Sequence, residues 1–362
     1  MAPQPLPPGS TIGILGGGQL GRMLALAAGR LGFDVVILSP EDDPCAGRVA
    51  SRVIKARYSD RNALKALAAT CQVITYEFEN VPARSVELLI KSFKADVAPG
   101  AKALAVAQDR VEEKTFLNAC HAGTVPFEPV ETAAELDEAL ARLGAPAVLK
   151  TRREGYDGKG QTWVENHADA EAAFKRIRGK PAILEGAANF VRELSVIAAR
   201  GRDGEVSCYP VGENHHVDGI LRRTSAPAKV NKAVAEQAET LAARILTALD
   251  YVGVMGVELF EMADGRLLVN EVAPRVHNSG HWTLDGCEVD QFEQHIRAIA
   301  GWPLGPTTAL ARVEMTNLIG DEADDWAKLA DEQEARLWFY GKGEARQGRK
   351  MGHVNRLRPL KY

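Results

Sequence analysis

Glu258 and Glu271 lie where a hairpin would set them face to face. Met255–Ala263 and Arg266–Val272 are β-prone runs flanking Asp264-Gly265, the dipeptide favoured in a two-residue type I′ turn. That turn makes Ala263 face Arg266, and counting outward places Glu258 directly opposite Glu271. Like charges directly opposed in a sheet repel. The arrangement calls for a cation, and a pair of carboxylates suits Mg²⁺ shared with substrate phosphates. Two solvated glutamates on an exposed face are the alternative. Immediately downstream, Asn270-Glu-Val-Ala-Pro-Arg-Val-His-Asn-Ser-Gly-His281 supplies Arg275, His277 and Asn278, donors suited to a small planar oxyanion beside a γ-phosphate. His277 and His281 have the four-residue spacing of a zinc helix, but Gly280 and the loop-like composition argue against one. His215-His216 is open to either a ligand role or a plain surface position.

Glycine-rich stretches add phosphate chemistry. Ile14-Leu-Gly-Gly-Gly-Gln-Leu-Gly21 follows a strand and opens a helix, and Gly16, Gly18 and Gly21 satisfy G-x-G-x-x-G. Amides at a helix N-terminus attract phosphate, so a nucleotide or phosphorylated metabolite could dock there. A tight turn with close helix packing explains the same glycines. NAD would call for an acidic residue about 20 positions on, and the second strand ends late, at Leu38-Ser-Pro-Glu41. Lys150-Thr-Arg-Arg-Glu-Gly-Tyr-Asp-Gly-Lys-Gly-Gln161 joins two strands and carries Gly155, Gly158 and Gly160 between cations, so it can close over polyphosphate. It lacks the G-K-[ST] ending of a P-loop, and an ordinary hairpin loop is the plainer reading. A glycine loop, a strand lysine at Lys150 and an opposed carboxylate pair are together the parts that phosphoryl transfer needs.

The elements that position these groups divide in character near Pro99-Gly100. Before it, Thr11–Leu15, Asp34–Leu38, Val53–Ala56, Gln72–Phe78 and Asp96–Ala98 read as strands, and Leu20–Leu31, Asp60–Ala69 and Pro82–Lys91 as helices. Such alternation predicts a doubly wound parallel sheet covered on both faces, with ligands outside the carboxyl ends of its strands, after Leu15 and Phe78. After it, a long helix over Lys102–Cys120 leads into an α+β pattern. Strands are expected over Ala147–Thr151, Gln161–Glu165, Ala182–Glu185, Glu193–Arg200 and Val206–Pro210, and helices over Ala168–Ile177 and Asn231–Leu249.

Composition narrows the class. The 362 residues, 46% hydrophobic and 25% charged, suit two or three soluble domains rather than a disordered or fibrous chain. No apolar stretch reaches the 18 residues a membrane helix needs. The first nine residues read as a proline-stiffened arm, not a signal peptide. The five cysteines are odd in number and never form C-x-x-C, which points to a reducing cytoplasm without disulfides or zinc. The net charge of −4 conceals a balance of +6 over residues 342–362. RNA binding is one reading of that tail. Glycines at 343, 348 and 352 after Trp338-Phe-Tyr340 favour an ordered lid that brings cations to phosphates, with no nucleic-acid or membrane partner.

Several blocks together resemble one family. Gly16-Gly-Gly-Gln-Leu-Gly-Arg-Met23, Tyr76-Glu-Phe-Glu-Asn-Val-Pro82, Gly155-Tyr-Asp-Gly-Lys-Gly-Gln161, Asn270-Glu-Val-Ala-Pro-Arg275, His277-Asn-Ser-Gly-His281 and Arg349-Lys-Met-Gly-His353 are similar to the signature blocks of the 5-(carboxyamino)imidazole ribonucleotide synthetases. These are ATP-grasp enzymes of de novo purine biosynthesis. The resemblance implies an ATP-grasp fold with a Rossmann-like domain over residues 1–99, a linker and ATP lid over 100–185, and a C-terminal subdomain over 186–362. It implies that ATP phosphorylates bicarbonate to carboxyphosphate, and that the exocyclic amine of 5-aminoimidazole ribonucleotide captures the carboxyl group or the CO₂ it releases.

By the same resemblance Arg110, Lys150, Gly155, Tyr156, Asp157, Gly158, Lys159, Gly160, Gln161, Glu185, Gly186, Ala187, Ala188, Glu193, His216, Asn270 and Glu271 contact ATP. Glu258 and Glu271 hold Mg²⁺. Arg275, His277 and Asn278 hold bicarbonate and carboxyphosphate, and Lys350 neutralises developing charge. Gly18, Gln19, Leu20, Glu77, Asp157, Tyr340, Lys342 and Arg349 meet the ribonucleotide, with Asp157 either a hydrogen-bond acceptor or a base. A homodimer is implied. The chain departs from the common pattern at Glu154, where glycine is usual, at Val276, where proline is usual, and at Gly212 and His215 beside His216. An NAD-dependent oxidoreductase would leave the second glycine loop and the Arg-x-His-Asn block unexplained. A regulatory nucleotide-binding module would need no oxyanion cluster, and sister ATP-grasp carboxylases or transformylases are expected to be longer and to lack the Arg349–His353 ending.

Overall fold

The alternation of β-branched runs and helices produces a parallel sheet in a computed structural model that describes residues 4–155 and 159–360. Strands β1 (Thr11–Leu15), β2 (Asp34–Ser39), β3 (Arg52–Lys55) and β4 (Val73–Tyr76) lie in the order β3-β2-β1-β4. Helices α1 (Gln19–Arg30), α2 (Arg61–Thr70) and α3 (Ala83–Phe93) connect and flank them. Side chains alternate across the strands. Ile12, Ile14, Val35, Ile37 and Val73 enter one core, and Leu15, Val36, Leu38, Ile74 and Tyr76 another, so both faces are covered.

Other expectations change. Asp96–Ala98 forms an isolated bridge from Val97 to Ile74 rather than a strand, and Pro99, lacking an N–H, cannot extend the ladder. The single helix expected over Lys102–Cys120 is two, α4 (Ala101–Ala107) and α5 (Arg110–Ala119). Asp109 divides them: its carboxylate accepts from the amides of Val111 and Glu112 as an N-cap, a bond that competes with helix continuation. The N-terminal arm is docked where described, Leu6 N donating to Ala300 O at 2.9 Å and Trp302 Nε1 to Leu6 O at 2.8 Å.

A small antiparallel sheet follows. Strands β5 (Phe127–Val130), β6 (Ala147–Thr151), β7 (Gln161–Val164) and β8 (Ala182–Gly186) lie in the order β5-β8-β6-β7. Helices α6 (Ala133–Leu143) and α7 (Ala170–Arg176) cover it through Leu136, Leu140 and Ala173. The second glycine loop is the β6–β7 connection.

The largest sheet holds the acidic and basic groups. It comprises β9 (Phe190–Arg200), β10 (Val206–Cys208), β11 (Gly212–Val217), β12 (Ile220–Ala226), β13 (Gly253–Met262), β14 (Leu267–Ala273), β15 (Arg312–Ile319), β16 (Ala335–Phe339) and β17 (Lys350–Arg358). Their order is β14-β13-β9-β11-β12-β15-β17-β16, with β10 on β9. Helix α8 (Lys232–Ala248) packs on one face through Leu241 and Ile245. After the short helix α9 (Thr283–Gly286), α10 (Gln291–Ile299) packs on the other through Phe292 and Ile296, in one core with the α1 side of the parallel sheet. The basic C-terminal segment is not a lid. Lys350–Arg358 is strand β17, paired on both sides and buried from Met351 to Asn355.

Candidate active site

The hairpin expectation is met by a different route. Met262 N donates to Arg266 O and Gly265 N to Met262 O, each at 2.9 Å, so the loop has three residues, Ala263-Asp264-Gly265, rather than two. Gly265 takes φ +81° while Asp264 stays out of the left-handed region, which excludes the type I′ turn and matches the turn-plus-bulge form of a three-residue hairpin. That loop shifts the register by one, pairing Leu259 with Val269. A β-bulge at Asn270 then restores the pairing of Glu258 with Glu271.

The two carboxyl groups sit in opposite electrostatic settings. Burial and the charge of Glu271 push the Glu258 carboxyl up, while Glu271, despite burial, is held low by Arg110 and Lys150. Arg110 Nη1 donates to Glu271 Oε2 at 3.1 Å, and Arg110 Nη2 to Gly155 O at 3.3 Å, tying α5 to both the hairpin and the glycine loop. His277 Nε2 lies 3.4 Å from Glu258 Oε1. Burial, then Arg275, pulls His277 down to about 3, so it is a neutral hydrogen-bonding group there. Its Nδ1 accepts from Ser279 N, leaving the proton on Nε2. Charge from Lys350 reaches both Glu258 and His277. Both polar atoms of the Asn278 side chain are out of solvent contact without a hydrogen-bond partner among the described residues, the state of a group awaiting a ligand. No group of three or more His, Cys, Asp or Glu able to hold a metal occurs among the described residues. Mg²⁺ shared between two carboxylates and substrate phosphates needs none.

Around this hairpin lie the other expected ATP residues. Lys150 Nζ donates to Glu185 Oε2 at 2.7 Å across β6 and β8. Gly186 and Ala188, partly exposed, and Ala187, exposed, follow Glu185. Glu193 Oε2 meets His216 Nδ1 at 2.8 Å, and this bond, with the charge of Glu258, raises His216 against the opposing effect of burial. In the glycine loop a Cβ on Gly160, φ +74°, would lie 2.6 Å from Thr151 Oγ1, so the glycine is required for the loop to fold back on its strand. Lys159 and Gln161 are exposed. Tyr156, Asp157 and Gly158 lie outside the described residues.

The expected ribonucleotide side is changed in detail. Glu77 Oε1 accepts from Gly18 N at 2.5 Å and Oε2 from Gly21 N at 2.8 Å, so a carboxylate of the chain itself covers the α1 N-terminus. Gly16 and Gly18 are glycines because a Cβ would lie 2.1 and 2.7 Å from that side chain. Dinucleotide pyrophosphate would need those amides, which removes the support for NAD. Gln19 is partly exposed, whereas the Leu20 side chain is buried in the core and offers only main chain. Tyr340 is 1% exposed and its hydroxyl meets His353 Nδ1 at 2.9 Å. Lys342 donates to Lys350 O at 2.8 Å, and burial pulls it down to about 8, within reach of the charges of Glu77 and Arg349.

Against known families, residues 10–108 match the ribonucleotide synthetase preATP-grasp domain, 115–292 the ATP-grasp domain and 314–360 the phosphoribosylaminoimidazole carboxylase C-terminal domain. The N5-carboxyaminoimidazole ribonucleotide synthase of Brucella melitensis is 51% identical over 98% of both chains. The chain belongs to the N5-carboxyaminoimidazole ribonucleotide synthase family. The Bacillus subtilis synthase is 44% identical over 98% of this chain and 93% of its own. Among solved structures, the Staphylococcus aureus synthetase complexed with ADP superposes with TM-score 0.94 at 38% identity, covering 98% of this chain and 95% of its own. The Aspergillus clavatus synthase in complex with ADP and 5-aminoimidazole ribonucleotide gives 0.91 at 32%, covering 97% and 94%.

The departures from the synthase pattern have physical readings. Glu154 adopts φ +64°, the left-handed region that a glycine there enters without strain. Val276 is fully buried, and Gly212 lets Thr224 approach to within 2.9 Å of where its Cβ would stand. His215 is exposed, apart from the partly buried His216, after a register shift between them. Sequence reasoning missed Glu79, whose Oε2 accepts from Arg275 Nε at 2.5 Å, and Glu113 and Lys114 on α5. Their spacing of three and four from Arg110 puts them on its face of the helix, a signal that was available once the helix start at Arg110 was known.

Proposed function

We propose that the protein is an ATP-dependent carbon–nitrogen ligase that carboxylates the exocyclic amine of 5-aminoimidazole ribonucleotide with bicarbonate, releasing ADP and phosphate. The observation that carries this reading is the run from Glu271 to Asn278, where a carboxylate opposed to Glu258 is followed at once by Arg275, neutral His277 and unsatisfied Asn278. The relatives' names, and the ADP and 5-aminoimidazole ribonucleotide carried by the Aspergillus structure, support the substrates.

In this reading Lys150, oriented by Glu185, meets the ATP phosphates as a point charge. Glu193 with His216 and the Glu185–Ala188 segment receive the nucleoside, and the glycine loop closes over the phosphates. Glu258 and Glu271 would hold Mg²⁺, which would supply charge neutralisation to the transferring phosphoryl group. Arg275, His277 and Asn278 bind bicarbonate through its oxygens and hold it for attack on the γ-phosphorus. A bicarbonate oxygen bonds to phosphorus as the bond to ADP breaks, giving carboxyphosphate, whose charge Lys350 offsets. The amine nitrogen then bonds to the carboxyl carbon as the carbon–oxygen bond to phosphate breaks, and the proton that the nitrogen gives up leaves with the phosphate. Glu77, Lys342 and Arg349 face the ribonucleotide. Because Glu79 joins the first-domain loop to Arg275, the ribonucleotide and oxyanion groups are mechanically linked. Homodimeric assembly in a cytoplasm belongs to the same reading, supported by family likeness and by the five free cysteines.

The test is ADP release by purified protein with ATP and Mg²⁺. Fast release is expected only when 5-aminoimidazole ribonucleotide and bicarbonate are both present. Equal release without the ribonucleotide sinks the substrate assignment.

A further inference from the structure

We propose that Glu113 and Lys114 are positioning residues that hold the Asn270 bulge and thereby keep Glu271 opposite Glu258. This rests on the reading of those two glutamates as the Mg²⁺ carboxylates. The three-residue hairpin loop pairs Leu259 with Val269. An unbroken ladder from that pair would set Asn270 opposite Glu258 and Glu271 opposite Val257. Side chains alternate between the faces of a strand, so a one-residue slip moves each to the other side. Val257 is fully buried in the core beneath α8. Without the bulge Glu271 would therefore be sent toward an apolar core, and the carboxylate pair would not exist.

A bulge leaves its extra residue out of the ladder, so its main-chain groups need other partners. Helix α5 meets the bulge carbonyl and the two residues that follow it. Lys114 Nζ donates to Asn270 O at 3.1 Å, Arg110 Nη1 to Glu271 Oε2 at 3.1 Å, and Glu113 Oε1 accepts from Val272 N at 2.8 Å. Consecutive residues of β14 are thus met by positions on one helical face, at i, i+3 and i+4. Glu113 and Lys114 are 3% and 1% exposed, and their bonds to β14 are to its main chain, which marks them as holding the strand rather than touching substrate. Lys114 also lies 3.5 Å from Glu185 Oε1, so the same side chain joins the bulge to the carboxylate that orients Lys150.

The experiment measures Mn²⁺ affinity by electron paramagnetic resonance on the full chain with a non-hydrolysable ATP analogue, alongside thermal unfolding. Glu113→Leu and Lys114→Met should each weaken Mn²⁺ binding by about 10–100-fold, the range seen when a partner that orients a metal ligand is lost. Glu113→Gln, which keeps an acceptor for Val272 N–H, should bind Mn²⁺ like the unaltered protein. A role confined to stability would lower the unfolding temperature and leave Mn²⁺ affinity unchanged, and that result overturns the proposal. If Glu113→Leu does not fold, Lys114→Met and Glu113→Gln decide it by the same criteria. Glu258→Gln separates the two readings. Unchanged Mn²⁺ affinity there overturns the metal assignment itself, whereas weakened affinity there with unchanged affinity in Lys114→Met overturns the positioning role alone.

Discussion

Replacing Glu185 by Gln keeps its shape and its main-chain pairing but removes the charge shared by two lysines. Its Oε2 lies 2.7 Å from Lys150 Nζ and its Oε1 3.5 Å from Lys114 Nζ, with Lys114 only 1% exposed. Breaking a buried ion pair from one side costs about 3–5 kcal/mol because the other charge is stranded. Lys114 retains the Asn270 carbonyl, which favours the lower end, ~3 kcal/mol, or roughly a 6–12 °C fall in unfolding temperature for a domain of this order of size. Burial already lowers Lys114, so the stranded amine has an outlet in losing its proton. Its folded pKa then lies further below the unfolded value near 10.5, the unfolded state binds the extra proton, and stability rises with pH between the two. The penalty is therefore larger at low pH than at high pH. Adding Lys114→Met to Glu185→Gln removes the more deeply buried stranded cation and should recover part of the loss, the Asn270 carbonyl then being left without its amine. Thermal unfolding of the single and double variants across pH is the assay. A Glu185→Gln loss below about 1 kcal/mol, within the range of an exposed pair, or a double variant no more stable than the single, would refute the reasoning.

Lys342 carries its charge only below about 8 because burial disfavours the ammonium. As pH rises through that value, KM for 5-aminoimidazole ribonucleotide should increase, and Lys342→Arg, charged throughout, should flatten the profile in steady-state assays. Gly16→Ala sets a Cβ 2.1 Å from Glu77 Cγ at φ +125°. Overpacking of this kind costs about 1–3 kcal/mol, and displacement of Glu77 should raise the same KM, whereas an unchanged unfolding temperature would contradict the close packing assigned to this glycine.

Much of the fold was legible because it is local. Near-continuous apolar runs at Ile12–Leu15 and Val35–Leu38 announce strands buried on both faces, and the glycine loop after Lys150 announces two strands that must pair. The break at Asp109 was missed although its chemistry is local. A helical periodicity runs through it, and whether an aspartate caps or merely interrupts depends on partners such as Arg152, 2.6 Å away and 43 positions along the chain. The burial of Tyr340 was not legible for a related reason. The resemblance placed Tyr340 beside the ribonucleotide, and only the pairing of β16 with β17, which sets His353 next to it, shows its hydroxyl already engaged.

Residue order alone determined which groups are present and in what sequence: the glycine blocks, Lys150, the two glutamates, and Arg275, His277 and Asn278 directly after them. It also led to the opposition of Glu258 and Glu271, but by way of a two-residue turn that does not form. Tertiary structure decided how that opposition arises. The three-residue loop moves the register by one and the Asn270 bulge moves it back. The main-chain groups that a bulge leaves out of the ladder need partners wherever they are buried. Lys114 and Glu113, more than 150 positions earlier in the chain, supply partners from a separate helix, and no count along the hairpin could have contained them.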